Sequence, residues 1–262
     1  MTRVMIFGGS HVASLILGSM QLRSNKALPT DLQIDFVSAP GPVLSRLRVV
    51  GSKLRLLEKP VTWPTLMFPK ETFDGWYDDT NSRMKSMTGP DTSDIDLLSY
   101  QKCFFIGGQV LRDWQLVDQS IGANSFSSAC LSTVCTDLIL SSVFLKCLIG
   151  EGPIDPTVNL SCSFEPVLNE LSPLYMDEPV KPGPLLRTAD LFRRSATGLG
   201  YDILPFPPFL LNSDGNAVSA NFKSAQEKDF THLNTLGGSH LLRSMLATVD
   251  GFGEIASDLN VV

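Results

Sequence analysis

The passage from Arg3 to Met20 constrains this chain more than any other. Arg3-Val-Met-Ile-Phe7 is a run of β-type residues that enters Gly8-Gly9-Ser10-His11, and Val12, Leu15, Ile16, Ser19 and Met20 then recur at helical spacing. This is a strand–turn–helix unit, with Ser10 where the strand's C-terminal end meets the helix N-terminus. Glycines let the backbone turn sharply and let a ligand approach closely. The free N–H groups of the helix start point at whatever lies there. A serine so placed either exposes its Oγ to a crevice, with its own N–H as an anion donor, or serves only as an N-cap.

Further strands alternate with helical patterns along the chain. Gln33–Ser38 reads as a second strand, broken by Ala39-Pro40-Gly41-Pro42. Lys102–Ile106 reads as a third, apolar enough to be buried on both faces, and it ends in Gly107-Gly108-Gln109. A helical pattern follows through Val110, Leu111, Trp114 and Val117, then a long apolar helix over Ser127–Ile149. Thr157–Cys162 is the fourth strand, Leu185–Ala196 an amphipathic segment with a basic face, and Tyr201–Pro205 the fifth strand. The last helix runs from about Thr235 to Val249. This alternation predicts an α/β fold, a doubly wound parallel sheet with helices on both faces. Ligands bind such sheets beyond the carboxyl ends of the strands. With the first three strands adjacent, Ser10, Gly41 and Gly107-Gly108-Gln109 share one neighbourhood.

The stretch from about Lys53 to Ser99 is irregular, with Pro60, Pro64, Pro69 and Pro90 among Trp63, Phe68, Phe73, Trp76 and Tyr77. Long loops in a compact domain are functional or disordered, and this aromatic content speaks against disorder. The reading is an insertion packed on the body, as a small hairpin or a lid. A satellite apolar cluster without a catalytic role fits equally.

With 262 residues, 43% hydrophobic and 18% charged, the chain suits one domain with a sizeable core. A net charge of −6 with no basic block argues against nucleic acid or an anionic membrane as partner. The five cysteines (Cys103, Cys130, Cys135, Cys147, Cys162) mostly sit in apolar runs, which suits buried reduced thiols and a cytoplasmic setting. Gly8-Gly9-Ser10-His11 interrupts what could pass for a secretion signal. No apolar stretch reaches the roughly 18 to 20 residues of a membrane span.

A serine hydroxyl needs a base to take its proton, and a histidine held by a carboxylate is the usual one. Of the three histidines, His11, His232 and His240, only His232 has an acid three residues before it, Asp229. A tight turn can put both on one side, Asp229 accepting from Nδ1–H and Nε2 left for Ser10. Gly237-Gly238-Ser239-His240 repeats the first turn's letters without a strand before it, so Ser239 reads as helix-surface or capping and His240 as a packing residue.

Phe7-Gly8-Gly9-Ser10-His11, Gly41, Gly107-Gly108-Gln109 and Asp229-x-x-His232, in this order over nearly the whole chain, resemble the SGNH (GDSL-type) hydrolases. The resemblance implies one domain over 1–262, interrupted at about 53–99, and a three-layer α/β/α architecture (flavodoxin-like) about a mostly parallel five-stranded sheet. It implies Ser10 as nucleophile, His232 as general base and acid, and Asp229 as the residue orienting His232. The oxyanion hole would comprise the N–H groups of Ser10 and Gly41 and the side-chain amide of Gln109. Two positions depart from the family pattern: Gly9 stands for the usual aspartate, and Gln109 for the usual asparagine. The expected activity is a serine esterase or acetylesterase, working through an acyl-enzyme on a small-molecule or carbohydrate acyl ester. It needs no cofactor and no metal. An O-acyltransferase would use the same residues, and an SGNH-like binding protein weakened at Gly9 and Gln109 is the alternative of another class. A nucleotide binder is disfavoured, since neither G-x-G-x-x-G nor G-x-x-x-x-G-K-[ST] occurs. A homo-oligomer is compatible with this sequence.

Overall fold

The computed structural model describes residues 1–60, 69–90, 92–106, 133, 136–137, 153–163, 193–205, 207–213, 218–225 and 232–254. Its centre is a parallel sheet of four strands, β1 (Thr2–Gly8), β2 (Leu32–Ser38), β6 (Lys102–Ile106) and β7 (Leu160–Ser163), in the order β2-β1-β6-β7. Three shorter strands, β3 (Leu47–Val50), β4 (Lys53–Leu56) and β5 (Ile95–Asp96), form a separate antiparallel sheet in sequence order.

The two central strands carry the core. Val4 to Phe7 and Cys103 to Ile106 are all buried, so both faces of the sheet are covered, as a parallel sheet requires. Phe7 pairs in register with Phe105, and their rings lie 5.4 Å apart. Each fully buried side chain of this size contributes about 1.5–3 kcal/mol. The expected fifth strand pairs over a single parallel bridge, Cys162 to Ile203. Cys162 N–H donates to Asp202 O, and Leu204 N–H to Cys162 O. Pro205 has no N–H to extend the ladder. With that segment counted last, the order of strands is the flavodoxin-like one. The fourth strand starts three residues later than its sequence suggests, because Asp155 Oδ1 accepts from the N–H and hydroxyl of Thr157 and holds a turn there.

Helix α1 (Val12–Ser24) leaves β1, and the last described helix, here α3 (Thr235–Leu246), packs against it. Small residues let the two approach: a Cβ on Gly238 would lie 2.0 Å from Ser14 O, and one on Gly18 would lie 2.4 Å from Ser239 N. Ser239, expected at a helix surface or cap, instead lies buried in this interface. Its hydroxyl meets Gln21 Oε1 at 2.8 Å and Thr235 O at 2.9 Å. The cap of α3 is Asn234, whose side chain accepts from Gly237 N–H. His240 packs between Phe209 and Phe222, and burial holds its imidazole below the ordinary histidine range, with Arg243 adding to the effect.

Within the stretch expected to be irregular stands a 19-residue helix, α2 (Lys70–Thr88). It begins after Pro69 and stops at Gly89, whose φ is +105°. Its buried residues, Phe73, Tyr77, Thr80 and Met84, follow helical spacing. This helix covers the exposed edge of β2. Thr80 Oγ1 donates to Ser38 O at 2.8 Å and Arg83 Nε to Phe36 O at 3.2 Å. The hairpin of β3 and β4 begins at Leu47, before the stretch, and of the strands only β4 and β5 fall within it.

Among the described residues, no helix is long and apolar enough to cross a membrane. Cys103 and Cys162 are buried free thiols. Burial pushes the Cys103 thiol up to about 12, and burial with Asp202 nearby pushes Cys162 up further. A thiolate is the reactive form, so iodoacetamide at pH 8 should leave both unmodified in native protein and alkylate both in urea, as read by peptide mass mapping. Alkylation of either in the native state would contradict their placement.

Candidate active site

β1 delivers Ser10 to the C-terminal end of the sheet through two close backbone contacts. Gly9 N–H donates to Ile106 O at 2.8 Å, and Ala39 N–H donates to Gly8 O at 2.8 Å. These bonds carry the ladder one step past the strand, so the turn is fixed on both sides. Helix α1 starts only at Val12, and the N-cap position belongs to His11, which makes no side-chain capping bond. Ser10 is therefore not an N-cap. Its Oγ lies 2.7 Å from His232 Nε2, across 222 residues of sequence.

The histidine is positioned by backbone pairing and by α1. Ser224 N–H donates to His232 O, and Asn234 N–H to Phe222 O, so the residue sits on a short antiparallel pairing just before α3. The hydroxyl of Ser14, one helical turn after Ser10, donates to Leu233 O at 2.8 Å and is buried. Ser10 and His232 thus stand at the N-terminal ends of two helices in direct contact. Ser14 ties them together.

His11 completes the wall behind the imidazole. It is 4% exposed, and its ring centroid is 4.8 Å from that of His232, at an interplanar angle of 40°. The tilted contact packs a buried ring against one side of the His232 imidazole. Ser14 is visible in the sequence as a polar residue on an apolar helix face, but neither its bond to Leu233 O nor the ring contact of His11 with His232 leaves a local signal.

Gly41 opens the 3-10 turn Gly41–Arg46, with φ +52°, a conformation that favours glycine. Among the described residues, neither Ser10 N–H nor Gly41 N–H has a hydrogen-bond partner. The two strands that carry these donors are neighbours in the sheet, and Ser38 Oγ donates to Gly9 O at 3.4 Å between them. Backbone N–H groups left unengaged at such turns suit an oxygen that gains negative charge where they converge on it. Asp229 and Gln109, the expected orienting carboxylate and third oxyanion donor, lie outside the described residues.

Serine and imidazole in contact are an arrangement in which the ring can take the hydroxyl proton. No protein-family model and no curated protein sequence matches the chain. Among solved structures, it is similar to the periplasmic domain of a lipopolysaccharide acetyltransferase from Salmonella ser. Paratyphi A, at 12% identity and a TM-score of 0.42 over 93% of this chain and 81% of that one. It is also similar to a structure described as "a putative arylesterase" from Agrobacterium tumefaciens, at 13% identity and a TM-score of 0.35 over 95% of this chain and 98% of that one. Likenesses this remote do not bear on the chemistry, which rests on Ser10 and His232.

Proposed function

We propose that this protein is a serine-dependent hydrolase of O-acyl esters. The observation that carries the reading is the 2.7 Å contact between Ser10 Oγ and His232 Nε2 at the carboxyl end of the parallel sheet. With Nδ1 protonated, Nε2 accepts the serine proton as Oγ attacks the ester carbonyl. The oxyanion then meets the N–H groups of Ser10 and Gly41. The protonated imidazole gives its proton to the departing alcohol, leaving an acyl-serine, and water reverses these steps to free the acid. Asp229 is proposed to hold Nδ1–H, and Gln109 to supply a third donor through its side-chain amide. An alcohol arriving in place of water would give acyl transfer on the same atoms. The setting proposed is cytoplasmic, which the two buried free thiols support.

A fluorophosphonate probe tests this directly, with p-nitrophenyl acetate turnover alongside. Native protein should label and turn over ester; Ser10→Ala should do neither above background. Losing the nucleophile of such a site costs on the order of 10⁴- to 10⁶-fold in kcat. Labelling that persists in Ser10→Ala, or native protein that never labels, would remove the hydrolase reading.

A further inference from the structure

A cleft of about 280 Å³ lies between α1, the end of β2 and α2, lined by Ile16, Phe36, Pro40, Trp76, Asp79 and Arg83 among others. One of its lining residues, Pro40, immediately precedes Gly41. The Trp76 ring also reaches Gly41, since a Cβ built there would lie 3.0 Å from Cζ3. One indole thus both lines the cleft and backs the backbone whose N–H is the proposed oxyanion donor.

Three polar groups in this wall, Thr80, Ser38 and the Nε of Arg83, are already engaged with the backbone. Thr80 Oγ1 donates to Ser38 O and Trp76 O, Ser38 Oγ to Gly9 O, and Arg83 Nε to Phe36 O. What remains for a ligand is mainly the apolar surface of Ile16, Phe36, Pro40 and Trp76. Asp79 is exposed and the Arg83 guanidinium lines the same cleft, so the two charges offset one another, and a carboxylate placed there would lose its hydration against the apolar lining. At roughly 30 Å³ per atom at liquid density, the volume admits about nine non-hydrogen atoms.

We infer that this cleft is the subsite for an uncharged apolar part of the ester, a medium acyl chain or a single ring. The inference rests on the hydrolase reading and adds its specificity. Burying several methylenes there should raise kcat/KM by on the order of tenfold or more over acetyl or ethyl substrates.

Two substrate series separate the sides of the ester: p-nitrophenyl acetate against p-nitrophenyl hexanoate, and ethyl acetate against hexyl acetate with acid release followed by pH-stat. Native protein should prefer the longer member in one series by about tenfold or more. Ile16→Trp, which fills the cleft, and Trp76→Ala, which removes its wall, should each shrink that preference several-fold, with circular dichroism melts confirming folded protein. p-Nitrophenyl succinate, carrying a carboxylate into the cleft, should be turned over more slowly than the hexanoate. The subsite is overturned if Ser10-dependent hydrolysis shows no length preference in either series, or a preference that both variants leave intact. Absence of Ser10-dependent labelling would instead sink the hydrolase reading itself, so the two failures are distinct.

Discussion

His232→Gln lowers kcat/KM for p-nitrophenyl acetate by on the order of 10⁴-fold, while the protein melts within a few degrees of native. Glutamine is near histidine in size and can still hydrogen-bond Ser10, but it cannot carry a proton at any pH where the protein is folded. The loss therefore isolates proton transfer from mere contact at the 2.7 Å Ser10–His232 pair. Folding should tolerate the change because the backbone here is held by bonds that do not involve the ring, Ser224 N–H to His232 O and Ser14 Oγ to Leu233 O. Fluorophosphonate labelling should slow in parallel, since the probe needs the same activated oxygen. The double variant Ser10→Ala/His232→Gln should be no slower than Ser10→Ala alone, because residues acting as one unit do not lose activity additively. A variant within tenfold of native turnover would show that some other group takes the serine proton.

How much of this could be read beforehand differs from element to element. The first strand, its glycine turn and α1 were plain, because four apolar residues, two glycines and a 3.6-residue period agree with one another. Helix α2 was hidden although Phe73, Tyr77, Thr80 and Met84 keep helical spacing. Gly75, the aspartates at 74, 78 and 79, and Asn81 are weak helix formers, and nearby prolines suggest a loop. Tertiary contact with the edge of β2 outweighs that propensity. The pairing of Ser10 with His232 was legible as chemistry, since few histidines were available and one had an acid close by. Its fixing by Ser14 was not, because a hydroxyl bonding a carbonyl 219 residues away leaves no local pattern. Ser239 misleads for the opposite reason: its letters copy the Gly8–His11 turn, while what they supply is smallness where α1 and α3 touch.

Gly8→Ala should destabilise the protein by about 4 kcal/mol, a large share of the 5–15 kcal/mol that holds a typical domain together. Gly8 sits at φ +149°, and a Cβ there would lie 1.7 Å from Ile106 O and 2.6 Å from Ile106 C. Both atoms are backbone of the paired strand β6, so no side-chain rotation relieves the clash. Strain at such a φ costs on the order of 1–3 kcal/mol, and overpacking a tight contact adds about 1–3 kcal/mol. In a chain of this size that corresponds to a fall in Tm of roughly 8–16 °C. The control is Gly75→Ala in α2, where an added Cβ meets nothing within 4 Å. Alanine should stabilise that helix by about 0.5–1 kcal/mol. Activity separates the two further. Moving β1 from β6 displaces Gly9 and with it Ser10, so Gly8→Ala should lose turnover even at temperatures where it remains folded, and Gly75→Ala should keep it. Equal melting temperatures for the two variants would mean that the strand end carrying Ser10 does not run as close to β6 as the Gly9 N–H to Ile106 O bond requires.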